Sequence, residues 1–245
     1  MKSKYLLLPL ALLLASCGPN ESASISETST PSDTSDTSSS VNEAAVELDI
    51  LLNSSNPTSI RDSVTISKDG ETYLNVFERI EYDSINGIYL TYYQENGLSD
   101  LDDASSTYNY QQTVYYAVYY DEDEEDSYTL AYTLDSDGMY IEKEAAKEIV
   151  SLEIEFDFTL VEELEFKKDG YRNVLEGVVS SSNANKFLSL ENKQISNIEF
   201  KSYSNGEVLQ SLEFVYTQNG FKVERTVDYT YVDIVLDLPT NIKKF

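Results

Sequence analysis

The 245-residue chain contains no histidine, no tryptophan and a single cysteine. Without histidine there is no Ser–His or Cys–His nucleophile pair and no His-ligated zinc site. Without tryptophan the commonest platform for stacking sugars is missing. One cysteine cannot form an intramolecular disulfide, whatever the redox compartment. Basic residues are scarce, 17 against 44 acidic. No basic stripe exists, so nucleic acid and anionic lipid surfaces are disfavoured partners by like-charge repulsion. A carboxylate pair could still hydrolyse a glycoside, but among 44 acids a chance pair carries no information. Catalysis is not expected, and no metal or cofactor motif is present.

The first residues carry an address. Lys2 and Lys4 precede an apolar run from Tyr5 to Leu14, broken only by Pro9. That run is too short to span a hydrocarbon core, which takes ~20 helical residues. A cationic head, a short apolar run and small residues at its end describe a cleaved signal peptide over residues 1–16. Leu14-Ala15-Ser16-Cys17 resembles the lipobox of bacterial lipoproteins. The resemblance implies that the Cys17 thiol receives a diacylglyceryl group, that cleavage falls just before it, and that the new amino group can be acylated as well. Two or more acyl chains would hold the protein firmly on the extracytoplasmic face of a cell membrane. Membrane lipid, through acylated Cys17, is then the first expected partner. Removing the signal leaves 15 basic and 44 acidic residues, a net charge of −29.

Residues 17–40 read as a lipidated tether. Thirteen of the nineteen positions from 22 to 40 are Ser or Thr, a composition that cannot bury a core. As a flexible coil, ~24 residues reach roughly 27 Å, enough to lift an acidic domain off an acidic membrane.

Residues 41–245 read as a single α+β ligand-binding domain. Ser40-Val41-Asn42-Glu43 forms a capping box, and Val41, Ala45, Leu48 and Leu52 recur at helical spacing. Beyond this N-terminal helix the pattern is strand. Seven of nine glycines follow Asp or Asn, as in Asp69-Gly70, Asn96-Gly97 and Asn219-Gly220, dipeptides that suit type I′ hairpin turns. Alternating runs such as Leu152, Ile154, Phe156, Phe158 and Leu160 predict one-sided antiparallel strands. About eleven strands are expected, near 62–67, 71–82, 87–95, 107–120, 127–135, 138–142, 152–166, 170–180, 193–203, 207–217 and 220–235. A sheet that wide must curl. Glu142 to Val150 is rich in helix formers and predicts a short mid-chain helix. With Lys68-Asp69-Gly70 and Lys168-Asp169-Gly170 in matching places, a two-fold repeat is one reading, although hairpin turns resemble one another in any case.

The order of elements, a helix, about six strands, a helical interruption and about five more strands, resembles the LolA/LppX-like lipoprotein-carrier fold. Val227-Asp228-Tyr229-Thr230-Tyr231 through Leu238-Pro239 also looks like the closing strand and tail of that group. The resemblance implies a strongly curved, unclosed barrel with helices at its mouth, holding an apolar or amphiphilic ligand. The Arg-Pro element of LolA and LolB is absent, so no functional residue carries over.

Four features carry chemistry, each with two readings. Asp121 to Asp126 is a run of six carboxylates that could gather Ca²⁺, or form a solvated hairpin tip that discourages edge pairing. Tyr116 and Tyr120 belong to a strand apolar on both faces, with Val114 and Val118 on one side and Tyr115, Ala117 and Tyr119 on the other. Such a strand is covered twice, or it offers a face to a ligand or a protein partner. Arg225 falls in register with Phe221, Val223, Val227 and Tyr229, and Glu78 with Val76 and Ile80. A lone buried charge is costly, so Arg225 and Glu78 either line a polar patch in the concavity, paired with each other, or are turned outward by bulges. The leading expectation is a non-catalytic lipoprotein whose curved sheet binds an apolar or amphiphilic ligand. The alternative is a protein–protein interaction module displayed through its Tyr-rich strands.

Overall fold

The structure, a computed structural model, describes residues 37–54, 56–98, 107–121, 126–145, 152, 156–190 and 193–243. Asp36–Phe245 form one compact unit. The described chain begins with helix α1 (Thr37–Asn53) and then forms strands β1 (Ser59–Lys68), β2 (Glu71–Asp83), β3 (Ile88–Leu98), β4 (Thr107–Asp121), β5 (Asp126–Leu134) and β6 (Tyr140–Ala145). A 3-10 turn (Phe158–Leu160), β7 (Glu162–Asp169), β8 (Arg172–Val179), helix α2 (Ser181–Phe187), β9 (Ile198–Ser204), β10 (Leu209–Gln218) and β11 (Phe221–Thr230) follow. All eleven strands join one antiparallel sheet in the order β6-β5-β4-β3-β2-β1-β11-β10-β9-β8-β7. Two hairpin meanders, β1–β6 and β7–β11, therefore meet where β1 pairs with β11. The sheet does not close, because its two ends, β6 and β7, are not neighbours. With eleven strands and two helices among the described residues, the fold is mostly β rather than α+β.

Local rules explain much of this. Asp69 (φ 53°) and Gly70 (φ 84°) turn β1 into β2, both in the left-handed region that a type I′ turn needs. Asn96-Gly97 departs from expectation: it lies inside β3 and makes no turn. Gly97 is required there for another reason. A Cβ on it would stand 2.2 Å from the Tyr73 carbonyl oxygen and 2.6 Å from Leu74 Cα, so β2 and β3 approach each other only because the side chain is missing.

The core lies under the C-terminal meander. Helix α1 packs on β7, β8 and the 3-10 turn, and α2 on β8 and the same turn. Phe158, Phe187, Phe200 and Phe214 are buried together. Phe156 joins them, 4.8 Å from the Phe214 ring and 5.4 Å from Phe187. The expected strand over 152–166 is thus corrected: Phe156 precedes the strand, Phe158 sits in the 3-10 turn, and β7 starts at Glu162. Asp157 accepts from Thr159 N–H and caps that turn. Its alternating apolar residues serve a folded connection that places two phenylalanines on one cluster, which alternation alone does not reveal.

Two helical expectations also change. The mid-chain helix over Glu142–Val150 is not formed where the chain is described: Glu142 to Ala145 belong to β6, paired with Tyr132 to Thr129 of β5; residues 146–150 lie outside the described residues. Ladder hydrogen bonds override helix propensity there. Helix α2, which carries Ala184 and Phe187 into the core, was not foreseen. Helix α1 starts at Thr37, inside the expected tether, so Ser40 is not its cap. Its buried stripe is Ala44, Glu47 and Leu51, with Ala45 and Leu52 exposed. The stripe is rotated because a carboxylate occupies its centre. Glu47 accepts hydrogen bonds from Asn173 Nδ2 and from Ser204 Oγ (2.6 Å), which satisfies its buried oxygens and bolts α1 to the sheet.

Candidate functional site

The inner face, on which α1 and α2 rest, continues across the β11–β1 seam into β2, β3 and β4. Register places Arg225 beside Val64 and then Val76, and Val227 beside Asp62, then Glu78, then Tyr93, then Gln112. Arg225 and Glu78 are thus on the inner face, as one of the two readings holds, and no bulge falls at either residue. Their partnership is different from expectation. Arg225 is clamped by Asp62, which the sequence reading did not single out. Nε reaches both carboxylate oxygens at 3.0 Å and Nη2 reaches Oδ2 at 2.6 Å. The side chains are 14% and 17% exposed, and the guanidinium lies 5.2 Å from the Phe156 ring centroid. A bidentate fork of this kind is the strong form of the ion pair. Burial works against the guanidinium charge, but Asp62 beside it outweighs that and raises the Arg225 pKa. Asp62 was legible in principle, since it alternates with Ile60, Val64 and Ile66.

Glu78 stands directly across from Asp62 without sharing its cation. Burial, then repulsion by Asp62, push its carboxyl pKa up, while the Arg225 charge pulls in the other direction. A second raised carboxyl lies one strand further on: Glu95 is buried, with burial the leading cause, and the Tyr93 hydroxyl donates to it at 3.0 Å. Around these acids the face is aromatic. Tyr82 stacks on Tyr89 at 4.2 Å. Tyr116 lies across from Tyr89, half-buried, its phenol pKa raised chiefly by burial. Tyr216 and Tyr229, on the far side of the seam, are raised by burial too. The arrangement is a carboxyl of raised pKa beside a fixed ion pair, in an aromatic and aliphatic surface. Asp62, already committed to a guanidinium, is not a free nucleophile.

Tyr120 is the last residue but one of β4, and its side chain is outside the described residues; Cys17, with all of residues 1–36, lies outside them as well. In the acidic run, Asp121 pairs with Asp126 across the β4–β5 ends, and residues 122–125 lie outside the described set. Among the described residues no group of three or more His, Cys, Asp or Glu is placed to hold a metal ion.

The opposite face of the Tyr-rich strands is covered as well. Leu90, Ala117 and Tyr132 are buried. Tyr119 stacks on Tyr128 at 5.3 Å, and Tyr115 meets Tyr140 edge-on at 5.7 Å. The tail after β11 is fastened to this meander at two places, β2 and β6. Leu236 N–H donates to Asp83 Oδ2 at the end of β2 (2.9 Å), while Tyr140 N–H donates to the Asn241 carbonyl and Lys243 N–H to the Tyr140 carbonyl on β6. Asp83 also accepts from Ile85 N–H, Asn86 N–H and Asn86 Nδ2. The Leu236 N–H contributes most to holding this carboxyl at about 2, against the opposing effect of burial. No sequence pattern marks Asp83 or the tail as a pair 153 residues apart.

No known protein family matches the chain, and no curated protein matches it in sequence.

Proposed function

We propose that the chain is a lipid-anchored extracytoplasmic lipoprotein that holds an apolar or amphiphilic ligand on the inner face of its sheet, without catalysis. One observation carries this reading: the aromatic and aliphatic inner face runs from the helix-covered meander into β2–β4, and its charged groups are gathered at and beside the seam, Arg225, Asp62 and Glu78 with Glu95 one strand further on. Such a surface suits an apolar body with one polar end. The finer description, an unclosed barrel of the LolA/LppX-like kind with helices at its mouth, belongs to the same proposal and is supported by the open eleven-strand order and by the helices lying on one meander.

Native mass spectrometry of residues 36–245, which form the compact unit, tests ligand holding. A stoichiometric co-purifying lipid is expected; protein that is lipid-free and takes up no fluorescent fatty acid would refute it. Anchoring is tested separately. Cys17→Ser should accumulate as unprocessed, unacylated precursor, and a variant processed and membrane-held like wild type would end the lipoprotein reading. Among the described residues no helix is long and apolar enough to cross a membrane. The second reading, a protein-interaction module, draws on the exposure of Val118 and Tyr128 on β4 and β5. It gains if the inner face proves empty and Tyr128→Ser removes a binding partner.

A further inference from the structure

Among the described residues, the four most exposed large apolar side chains are Tyr171 (82%), Ile85 (75%), Val232 (72%) and Val235 (71%). Isolated apolar residues at a surface are ordinary. Three of these four are not isolated. The buried Asp83 carboxylate takes the backbone N–H of Ile85 on one oxygen and that of Leu236, next to Val235, on the other. Thr58 Oγ1 donates to the Val232 carbonyl at 2.7 Å. The β2–β3 turn and the first part of the tail are therefore fastened side by side at one end of the sheet, with aliphatic side chains pointing into water.

We propose that this end of the domain, Ile85 with Val232 and Val235, rests on the neutral surface of the bilayer that carries Cys17. The biological setting rests on the reading of Cys17 as the lipidated residue. Charge selects the kind of surface. Residues 84–87 and 232–236 contain no Lys or Arg, and Asp233 is exposed among them. The patch therefore suits zwitterionic lipid and not the anionic surface that basic residues recognise. Length permits the contact. About 20 residues separate Cys17 from the start of α1; their Ser/Thr-rich composition, read as a flexible coil, gives a reach of roughly 25 Å. Helix α1 has 17 residues, about 25 Å at 1.5 Å each, and the chain leaving its far end reaches Val232 at Thr58. A link of that length matches the span of α1, so it allows the patch to meet the bilayer at the high effective concentration that a short link creates.

The absence of tryptophan and the single thiol make a clean test. The chain from Cys17 onward is coupled through that thiol to a maleimide phospholipid in phosphatidylcholine vesicles, so attachment does not depend on enzymatic lipidation. Ile85→Trp and Val235→Trp are each expected to shift their emission to shorter wavelength on attachment and to be quenched by bromine-labelled acyl chains. Tyr171→Trp, in the β7–β8 turn, is expected to keep its water-like emission. All three positions are exposed, and circular dichroism checks that each variant folds. The proposal is overturned if no reporter shifts, if all three shift alike, or if only one of positions 85 and 235 responds, since Asp83 holds both segments. It is also overturned if the same shifts arise without vesicles as protein concentration rises, which would make the occupant a second copy. Because attachment is chemical, failure here leaves the lipoprotein reading standing, and failure of the Cys17→Ser experiment leaves this measurement valid.

Discussion

The two meanders of this sheet are built from the same alternating strands and the same Asp-Gly and Asn-Gly turns, yet they are stabilised differently. β7–β11 lie under α1, α2 and the 3-10 turn, and the continuous core cluster is theirs, with β1 contributing at its margin. β2–β6 have no described helix packed on them. Their buried residues, such as Leu74, Ile80, Leu90, Val114 and Ala117, lie outside that cluster, and much of their remaining surface is half-buried tyrosine. A one-sided strand pattern specifies which face seeks cover but not what provides it. One meander receives helices. The other uses tyrosine pairs and an irregular tail tied at Asp83 and Tyr140.

This contrast predicts a gradient of mutational effect. Phe214→Ala, which empties a site surrounded by Phe156, Phe187 and Phe200, is expected to cost about 3–5 kcal/mol in urea denaturation. A cost below about 1 kcal/mol would mean that the helix-covered half is no better packed than the other. At the seam, Arg225→Met alone strands Asp62 in a largely buried position and is expected to cost about 3–5 kcal/mol. The double variant Asp62→Leu, Arg225→Met should recover most of that loss, as replacement of a buried pair by apolar residues generally does. If the two meanders unfold as one unit, both experiments give single transitions by all probes; separate transitions would place the boundary at β1–β11. Glu47→Gln, which weakens the fastening of α1 to Asn173 and Ser204, should cost about 1–3 kcal/mol and increase amide exchange in β7 and β8 before β3 and β4.

The smallest effect concerns pH. Glu78 and Glu95 have raised carboxyl pKa values in the folded state, so folding favours their protonated forms. Their stabilising contribution is complete below the ordinary carboxyl range, near 4.5, and is lost as pH rises through the higher folded values. Glu78→Gln should therefore be slightly more stable than wild type at pH 7 and lose that advantage by pH 4. Asp83 has the opposite sign. Its pKa is lowered to about 2, so its contribution is present above 3.8 and disappears as pH falls towards 2. Acid should release the tail and the β2–β3 turn together, which amide exchange at Leu236 and Ile85 would report. Simultaneous release of α1 would show that the tail is not an independent fastening.

Site residues were legible to different degrees. Arg225 and Glu78 announce themselves because a charge in an apolar register is anomalous on its own strand. Asp62 obeys the same rule but was missed, and what makes it the partner is its place across the seam, two residue pairs along from Val64 opposite Arg225. That adjacency joins residues 163 apart. Glu47 was hidden more thoroughly: a carboxylate on the buried stripe of α1 shifts the apparent apolar face by one position, and only the Asn173 and Ser204 donors explain why it is tolerated.

What the sequence by itself determined is local: the number of strands, most of their turns, the first helix and the one-sidedness of each alternating run, all set by backbone geometry and side-chain period within a few residues. The tertiary structure decided the rest. It made Glu142 to Ala145 a strand in spite of their helix propensity, because β5 offers a full hydrogen-bond ladder. It placed β1 against β11, gave Arg225 to Asp62 rather than to Glu78, and pinned the tail to Asp83. The last three depend on satisfying polar groups with partners more than a hundred residues away along the chain, and no local pattern encodes where those partners will be.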